Sequence, residues 1–232
     1  MSLLGDIVSV TLAGMMLVNQ GIMTITPQHN ADSPLFLVNR EWRISGYYIP
    51  ELRLANVPGQ VKRLRPEVAD ALEAMYAACK AETKVTLVSV SGYREYDKQE
   101  RIYAAKLKRV KGDVEAANAY VALPGASEHQ TGLSMDVGQA SLSSDENLSG
   151  TFGGSKGGKW LKENCWRFGF IIRYQEGWEA ITGYSAEPWH VRYVGVENAA
   201  KIHANEMPLE EFLVLERKTI MLDLMENNGD SF

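Results

Sequence analysis

Residues 84–94 read Lys84-Val85-Thr86-Leu87-Val88-Ser89-Val90-Ser91-Gly92-Tyr93-Arg94. β-Branched residues and partial alternation over 84–90 predict a strand, and Gly92 marks the turn out of it. A helix is expected next, running through about Lys108. Upstream, Pro66 suits the first turn of an earlier helix, in which Val68, Leu72, Met75, Tyr76 and Cys79 share one face at 3.6-residue spacing. Downstream, 133–137, 170–174 and 189–194 read as strands. Residues 160–168 read as a short helix ended by Gly169, and two helices close the chain, the second after Pro208. Residues 141–158, rich in Ser and Gly, read as a loop. Strands and helices mix without a regular βαβ repeat. The expected class is therefore α+β, with a mainly antiparallel sheet and flanking helices.

The chain has 232 residues, 45% hydrophobic and 23% charged, which suits one well-packed domain, alone or with an elaborated end. A formal charge of −5 argues against nucleic-acid binding, which wants a clustered basic surface. The basic run from Lys106 to Lys111 reads as a solvated helix face. Gly153-Gly154-Ser155-Lys156-Gly157-Gly158 lacks the strand and spacing of a phosphate-cradling loop. Cys79 and Cys165 read as two buried thiols, a long-range disulfide being the alternative.

At the N-terminus, 7–18 is apolar, yet no Lys or Arg precedes it and twelve residues are too few to cross a bilayer. An in-domain strand or helix and a trimmed targeting or anchoring remnant both stay open. Membrane association is expected only through such a trimmed N-terminus, and the compartment, cell envelope or cytoplasm, stays open with it. Two similar runs, Met16-Leu17-Val18-Asn19-Gln20 and Phe36-Leu37-Val38-Asn39-Arg40, are expected to be short strands of an N-terminal extension.

Two of the four histidines stand in chemically rich surroundings, Ser127-Glu128-His129-Gln130-Thr131-Gly132-Leu133-Ser134-Met135-Asp136 and Glu187-Pro188-Trp189-His190-Val191-Arg192-Tyr193. A lone histidine is more often structural than a ligand. The combination of His129, Asp136 and His190 is different, because two imidazoles and one carboxylate suit a catalytic zinc with a fourth position left for water. Hydrolysis then needs a base outside the ligand set. Glu187, three residues before His190, fits that role. Glu128 competes, but beside a ligand on a strand it would face away. Arg94, at the strand exit, can set its guanidinium fork over a developing oxyanion or a substrate carboxylate, and Gln99 can hydrogen-bond a peptide unit. His29 and His203 are expected at the surface; Trp189 and Tyr184 can line the cleft.

Gly92-Tyr93-Arg94 with Gln99, then Ser-x-His-x-x-Gly-x-x-x-Asp, then Glu-x-x-His-x-Arg-Tyr, resembles the ordered signature of the D-Ala-D-Ala metallopeptidases. The similarity spans about 35–211 and is greatest to the VanY and VanXY branch linked to vancomycin resistance and to the related cell-wall L,D-carboxypeptidases. Ser134, where alanine is usual, and Pro188 are small departures. The resemblance implies the zinc fold shared with hedgehog domains and lysostaphin-type enzymes. It implies Zn2+ held by His129, Asp136 and His190, Glu187 as base and Arg94 at the tetrahedral intermediate. Gln99 and Ser127 match substrate-contacting positions. The chain then divides into an extension, 1–34, and a catalytic domain, 35–232. The expected substrate is a peptidoglycan stem peptide or another D-Ala-D-Ala-terminated precursor, from which the enzyme removes terminal D-Ala as a metallocarboxypeptidase. A D,D-dipeptidase, an L,D-carboxypeptidase and a non-catalytic zinc-binding module are the alternatives; Glu187, Arg94 and Gln99 argue against the last, which needs none of them.

Overall fold

The structure is a computed structural model that describes residues 27–229. A short antiparallel ribbon, β1 (Arg53–Leu54) and β2 (Arg63–Leu64), leads into helix α1 (Pro66–Thr83). The main sheet has four strands, β3 (Leu87–Ser91), β4 (Ser134–Gln139), β5 (Phe170–Tyr174) and β6 (Glu187–Tyr193). Their order is β3-β4-β6-β5 and every pairing is antiparallel. The expected α+β class with a mainly antiparallel sheet is what the chain forms.

Both faces of this sheet are covered, so β5 is buried at every position instead of alternating with solvent. Phe170 and Ile172 point into the larger core, with the apolar stripe Val68, Leu72, Met75 and Cys79 of α1 and with Met135, Val137 and Val191. Ile171 points the other way. It joins Val194, Ala199 and Ile202 beside α8 (Val196–Asn205) and Leu209, Phe212 and Leu213 of α9 (Leu209–Gly229). Between β3 and β4 lie α2 (Tyr96–Arg109) and α3 (Val114–Asn118), and between β5 and β6 the single turn α7 (Glu179–Thr182).

Three expectations need correction. Residues 141–158 are not a loop. They hold α4 (Ser144–Asn147), α5 (Gly150–Gly154) and the first turn of α6 (Lys156–Asn164). Ser143, Ser149 and Ser155 cap these helices with their hydroxyls, so the serines that suggested a loop are helix starts. Gly153, Gly157 and Gly158 serve close packing. A Cβ on Gly158 would lie 2.0 Å from the Phe152 carbonyl oxygen. Secondly, 36–40 form no strand. Phe36 and Val38 enter the larger core while Leu35 and Leu37 enter the smaller one, and the Leu37 amide bonds Gln28 instead of a sheet neighbour. Thirdly, β3 starts at Leu87, because Lys84 takes a left-handed conformation (φ 67°) that ends α1.

The stretches 7–18 and 16–20 lie outside the described residues. Cys79 and Cys165 are both buried free thiols. His203 is exposed and stacked on Trp166, and His29 is half-buried against Trp42. Among the described residues, no helix is long and apolar enough to cross a membrane.

Candidate active site

The central strand pair places the first two groups. Asp136 on β4 faces His190 on β6 across the ladder, with His190 Nδ1 3.0 Å from Asp136 Oδ1. Directly opposed residues of an antiparallel pair share a face, so both side chains enter the same cleft. His129 comes from a 3₁₀ turn, Glu128–Thr131, just ahead of β4. Gly132, at φ 70°, closes that turn and lets the chain reverse into the strand. His129 Nε2 lies 3.3 Å from Asp136 Oδ2. Its Nδ1 lies 2.8 Å from the Gly92 carbonyl, which can only accept, so Nδ1 carries the proton and Nε2 faces Asp136 as a free donor atom.

Donor atoms of His129, Asp136 and His190 lie within 4.8 Å of one another, and all three residues are buried. Around a tetrahedral zinc, ligand atoms at about 2.0–2.2 Å from the ion lie roughly 3.3–3.5 Å apart. The two contacts to Asp136 are close to that spacing, so the residues present fit a zinc ion. Two imidazoles and one carboxylate leave a net positive charge at a divalent ion and an open fourth position.

Glu187 reaches the same cleft by an irregularity. Residues three apart on a regular strand point to opposite faces. Between Ile172 and Tyr174 of β5 the register with β6 slips, so that Val191 and Glu187 pair with residues only two apart. This bulge turns Glu187 onto the face of His190, leaving its Oε2 3.9 Å from His190 Nδ1. Pro188, which has no N–H to give to a ladder, sits inside it. A second bulge, between Ser89 and Ser91 of β3, sets Ser91 opposite Asp136.

Arg94 is held by Ser91 Oγ at 3.0 Å and Gln99 Oε1 at 2.8 Å, with Nη2 3.7 Å from Asp136 Oδ2. Gln99 is thus occupied on one side by Arg94, and its amide nitrogen donates to the Ala122 carbonyl. Arg94, Gln99, Ser127, His129, Asp136, Glu187 and His190 all line one cleft of about 670 Å³. Trp189 and Tyr184 line it too, as do Lys106 and Arg109 of the basic run expected to be only a solvated face.

The electrostatics follow from burial and neighbours. Burial would lower His190, but hydrogen bonds to Asp136 and Glu128 outweigh it and hold the ring at about 9. Burial dominates Glu187 and raises it to about 8. Burial also opposes ionisation of Asp136, yet His129 and His190 keep it well below the ordinary carboxylate range. His129 is lowered, chiefly by burial.

Sequence reasoning misplaced Glu128. It lies on the 3₁₀ turn, not on a strand, and its carboxylate points inward, with Oε2 3.3 Å from His190 Nε2. It is ruled out as a free base because Arg173 and Arg192 both donate to its other oxygen, at 2.8 and 2.7 Å. The signal available in the sequence was Arg173, a lone charge inside the apolar strand Phe170-Ile171-Ile172-Arg173-Tyr174.

Residues 61–196 match the VanY family, described as D-alanyl-D-alanine carboxypeptidase. Over 205 residues the chain is 42% identical to the putative carboxypeptidase YodJ of Bacillus subtilis (strain 168), covering 85% of this chain and 72% of that protein. The solved structure of the LdcB LD-carboxypeptidase, described as revealing the basis of peptidoglycan recognition, is similar with a TM-score of 0.69 and 41% identity, over 77% of this chain and 86% of that one. A mutant of the vancomycin resistance D,D-pentapeptidase VanY from a VanB-type cassette, solved with Zn(II), aligns with a TM-score of 0.66 and 37% identity, over 78% of this chain and 98% of that one.

Proposed function

Because the chain belongs to the VanY family of D-alanyl-D-alanine carboxypeptidases, we propose that it is a zinc-dependent carboxypeptidase that removes the terminal D-Ala from D-Ala-D-Ala-ended stem peptides of peptidoglycan precursors. One observation carries this reading. Beside the three-donor cluster stands a further carboxylate, Glu187, which burial raises to about 8 and whose Oε2 lies 3.9 Å from His190 Nδ1. A site that only held a metal would have no use for it.

His129 Nε2, Asp136 and His190 Nδ1 would hold the zinc. When bound, the ion supplies Lewis acidity, acidifying a water and polarising the scissile carbonyl. Glu187 takes the proton from the attacking water and returns it to the departing amine. Its carboxyl, at about 8 in place of the ordinary 4.5, suits a group that must both accept and give up a proton near neutrality. Arg94, fixed by Ser91 and Gln99 before substrate arrives, sets its N–H groups toward the oxyanion that develops on the carbonyl. Ser127 is the substrate-contacting hydroxyl, and Gln99 acts through Arg94.

The test is D-Ala release from a UDP-muramyl pentapeptide, the corresponding tetrapeptide and free D-Ala-D-Ala, with and without a zinc chelator. Chelator-sensitive release, fastest from the pentapeptide, supports the reading. Fastest release from the tetrapeptide would make the protein an L,D-carboxypeptidase, as the likeness to LdcB allows. No release by zinc-loaded protein would leave a binding module.

A further inference from the structure

Glu128 has no place in the chemistry above, yet it is completely buried beside it. Its two oxygens face different ways. Oε1 accepts from Arg173 Nε at 2.8 Å and from Arg192 Nη1 at 2.7 Å. Oε2 lies 3.3 Å from His190 Nε2, the ring nitrogen turned away from Asp136. Both arginine side chains are themselves fully buried and tied down at their far ends. Arg173 gives Nη1 and Nη2 to the Glu210 carboxylate at 2.9 and 2.5 Å. Arg192 gives Nη2 to the carbonyls of Pro34 and Phe36 at 3.0 and 2.5 Å. Two carboxylates and two guanidiniums make a neutral cluster, anchored to the C-terminal helix on one side and the N-terminal segment on the other.

A buried carboxylate held by two fixed cations cannot rotate to follow its third partner. The imidazole must instead align to it. A histidine that gives Nε2–H to a carboxylate presents the Nδ1 lone pair to its other side, and such outer partners fix ring orientation and ligand basicity at metal sites. His190 Nδ1 is the atom that faces Asp136 and Glu187.

We infer that Glu128, clamped by Arg173 and Arg192, is the positioning residue that selects the Nε2–H form of His190 and aims its Nδ1 at the metal. The inference rests on the zinc reading above. It assigns Glu128 no contact with substrate. It also gives Glu210 and residues 34–36, which do not line the cleft, an indirect hold on metal affinity.

The test uses zinc affinity, measured by competition with a chromogenic chelator, on the wild type and on Glu128→Asp. The aspartate keeps the charge between the arginines but withdraws the carboxylate by one methylene. A drop of roughly 10- to 100-fold in zinc affinity, with the fold retained by circular dichroism, is the expected result. Unchanged affinity in the folded variant overturns the inference. Should the variant not fold, nitrogen-15 NMR of the zinc-loaded wild type decides: His190 is expected to show a slowly exchanging Nε2–H and a metal-bound Nδ1, and coordination through Nε2 overturns the inference. D-Ala release from the same zinc-loaded wild type is read separately. A protein that binds zinc through His190 Nδ1 but releases no D-Ala sinks the proposed activity and leaves the role of Glu128 standing.

Discussion

Asp136 and His190 stand directly opposite each other on the two inner strands of the sheet, 3.0 Å apart from oxygen to nitrogen. Inner strands are paired on both edges, so this distance is set by two ladders and does not depend on a loop. Binding groups on such elements are held more accurately than groups on loops, and a metal site needs that accuracy in at least two donors.

His190→Ala is expected to remove both zinc and activity. Elemental analysis after dialysis reads the metal content. Stoichiometric zinc in the variant would exclude His190 from the ligand set.

Glu187→Gln keeps the size and most of the polarity of the side chain but cannot take a proton. Turnover of the preferred peptide is expected to fall by about 10²- to 10⁴-fold while zinc content stays at one per chain. Wild-type turnover would move the base elsewhere in the cleft.

Arg94→Lys preserves the positive charge and loses the fork that bonds Ser91 and Gln99 at once. A fall in kcat of roughly 10²-fold with little change in KM is expected, since a group aimed at the developing oxyanion acts mainly in the transition state. A change confined to KM would make Arg94 a ground-state binder of the substrate carboxylate instead.

Metal-free protein should lose stability as pH rises from 7 to 9. His190 stands at about 9 when folded against 6.5 in its ordinary state, and Glu187 at about 8 against 4.5. In this window the folded chain keeps protons that the unfolded chain has released, so the slope is negative. The His190 contribution is complete below 6.5 and gone above about 9. The Glu187 contribution declines from about 4.5 to about 8. Each extra proton weakens folding by about 1.4 kcal/mol per pH unit. Thermal melts of chelator-treated protein across this range measure the slope, and saturating zinc should flatten it, because metal binding favours the deprotonated groups. A melting temperature that climbs over the same range would contradict these assignments.

Gly158→Ala is expected to destabilise the fold by about 1–3 kcal/mol, because the new methyl meets the Phe152 carbonyl oxygen at 2.0 Å and α5 must shift. Chemical denaturation reads this directly. Gly150→Ala, with nothing within 4 Å of the added carbon, serves as the control.

The sheet and α1 were legible because their local signals are strong: the stripe from Val68 to Cys79 fits the 3.6-residue period, and Phe170 to Tyr174 is a short, mostly apolar run opened by Gly169. Residues 141–158 misled because Ser and Gly mark loops and helix caps alike; only contacts such as Ser155 Oγ with the Gly158 amide separate the two. In the site, the order of His129, Asp136, Glu187 and His190 along the chain could be read. The bulge that brings Glu187 to the face of His190 could not, since spacing alone turns residues three apart away from each other. Glu128 was misjudged for a related reason. Its orientation depends on a 3₁₀ turn and on Arg173 and Arg192, whose approach is a matter of three-dimensional packing.

The cleft divides its labour by origin. The groups proposed to react rise from strands, a 3₁₀ turn and the exit of β3. Lys106, Arg109, Tyr120, Leu148, Ser149 and Gly150, which also line the cleft, belong to α2 and the connections outside the sheet. Insertions or exchanges in those walls would alter which peptide enters without disturbing the machinery beneath. A fold arranged in this way can shift among wall peptides ending in D-amino acids through changes at its rim alone, with the hydrolytic apparatus inherited intact.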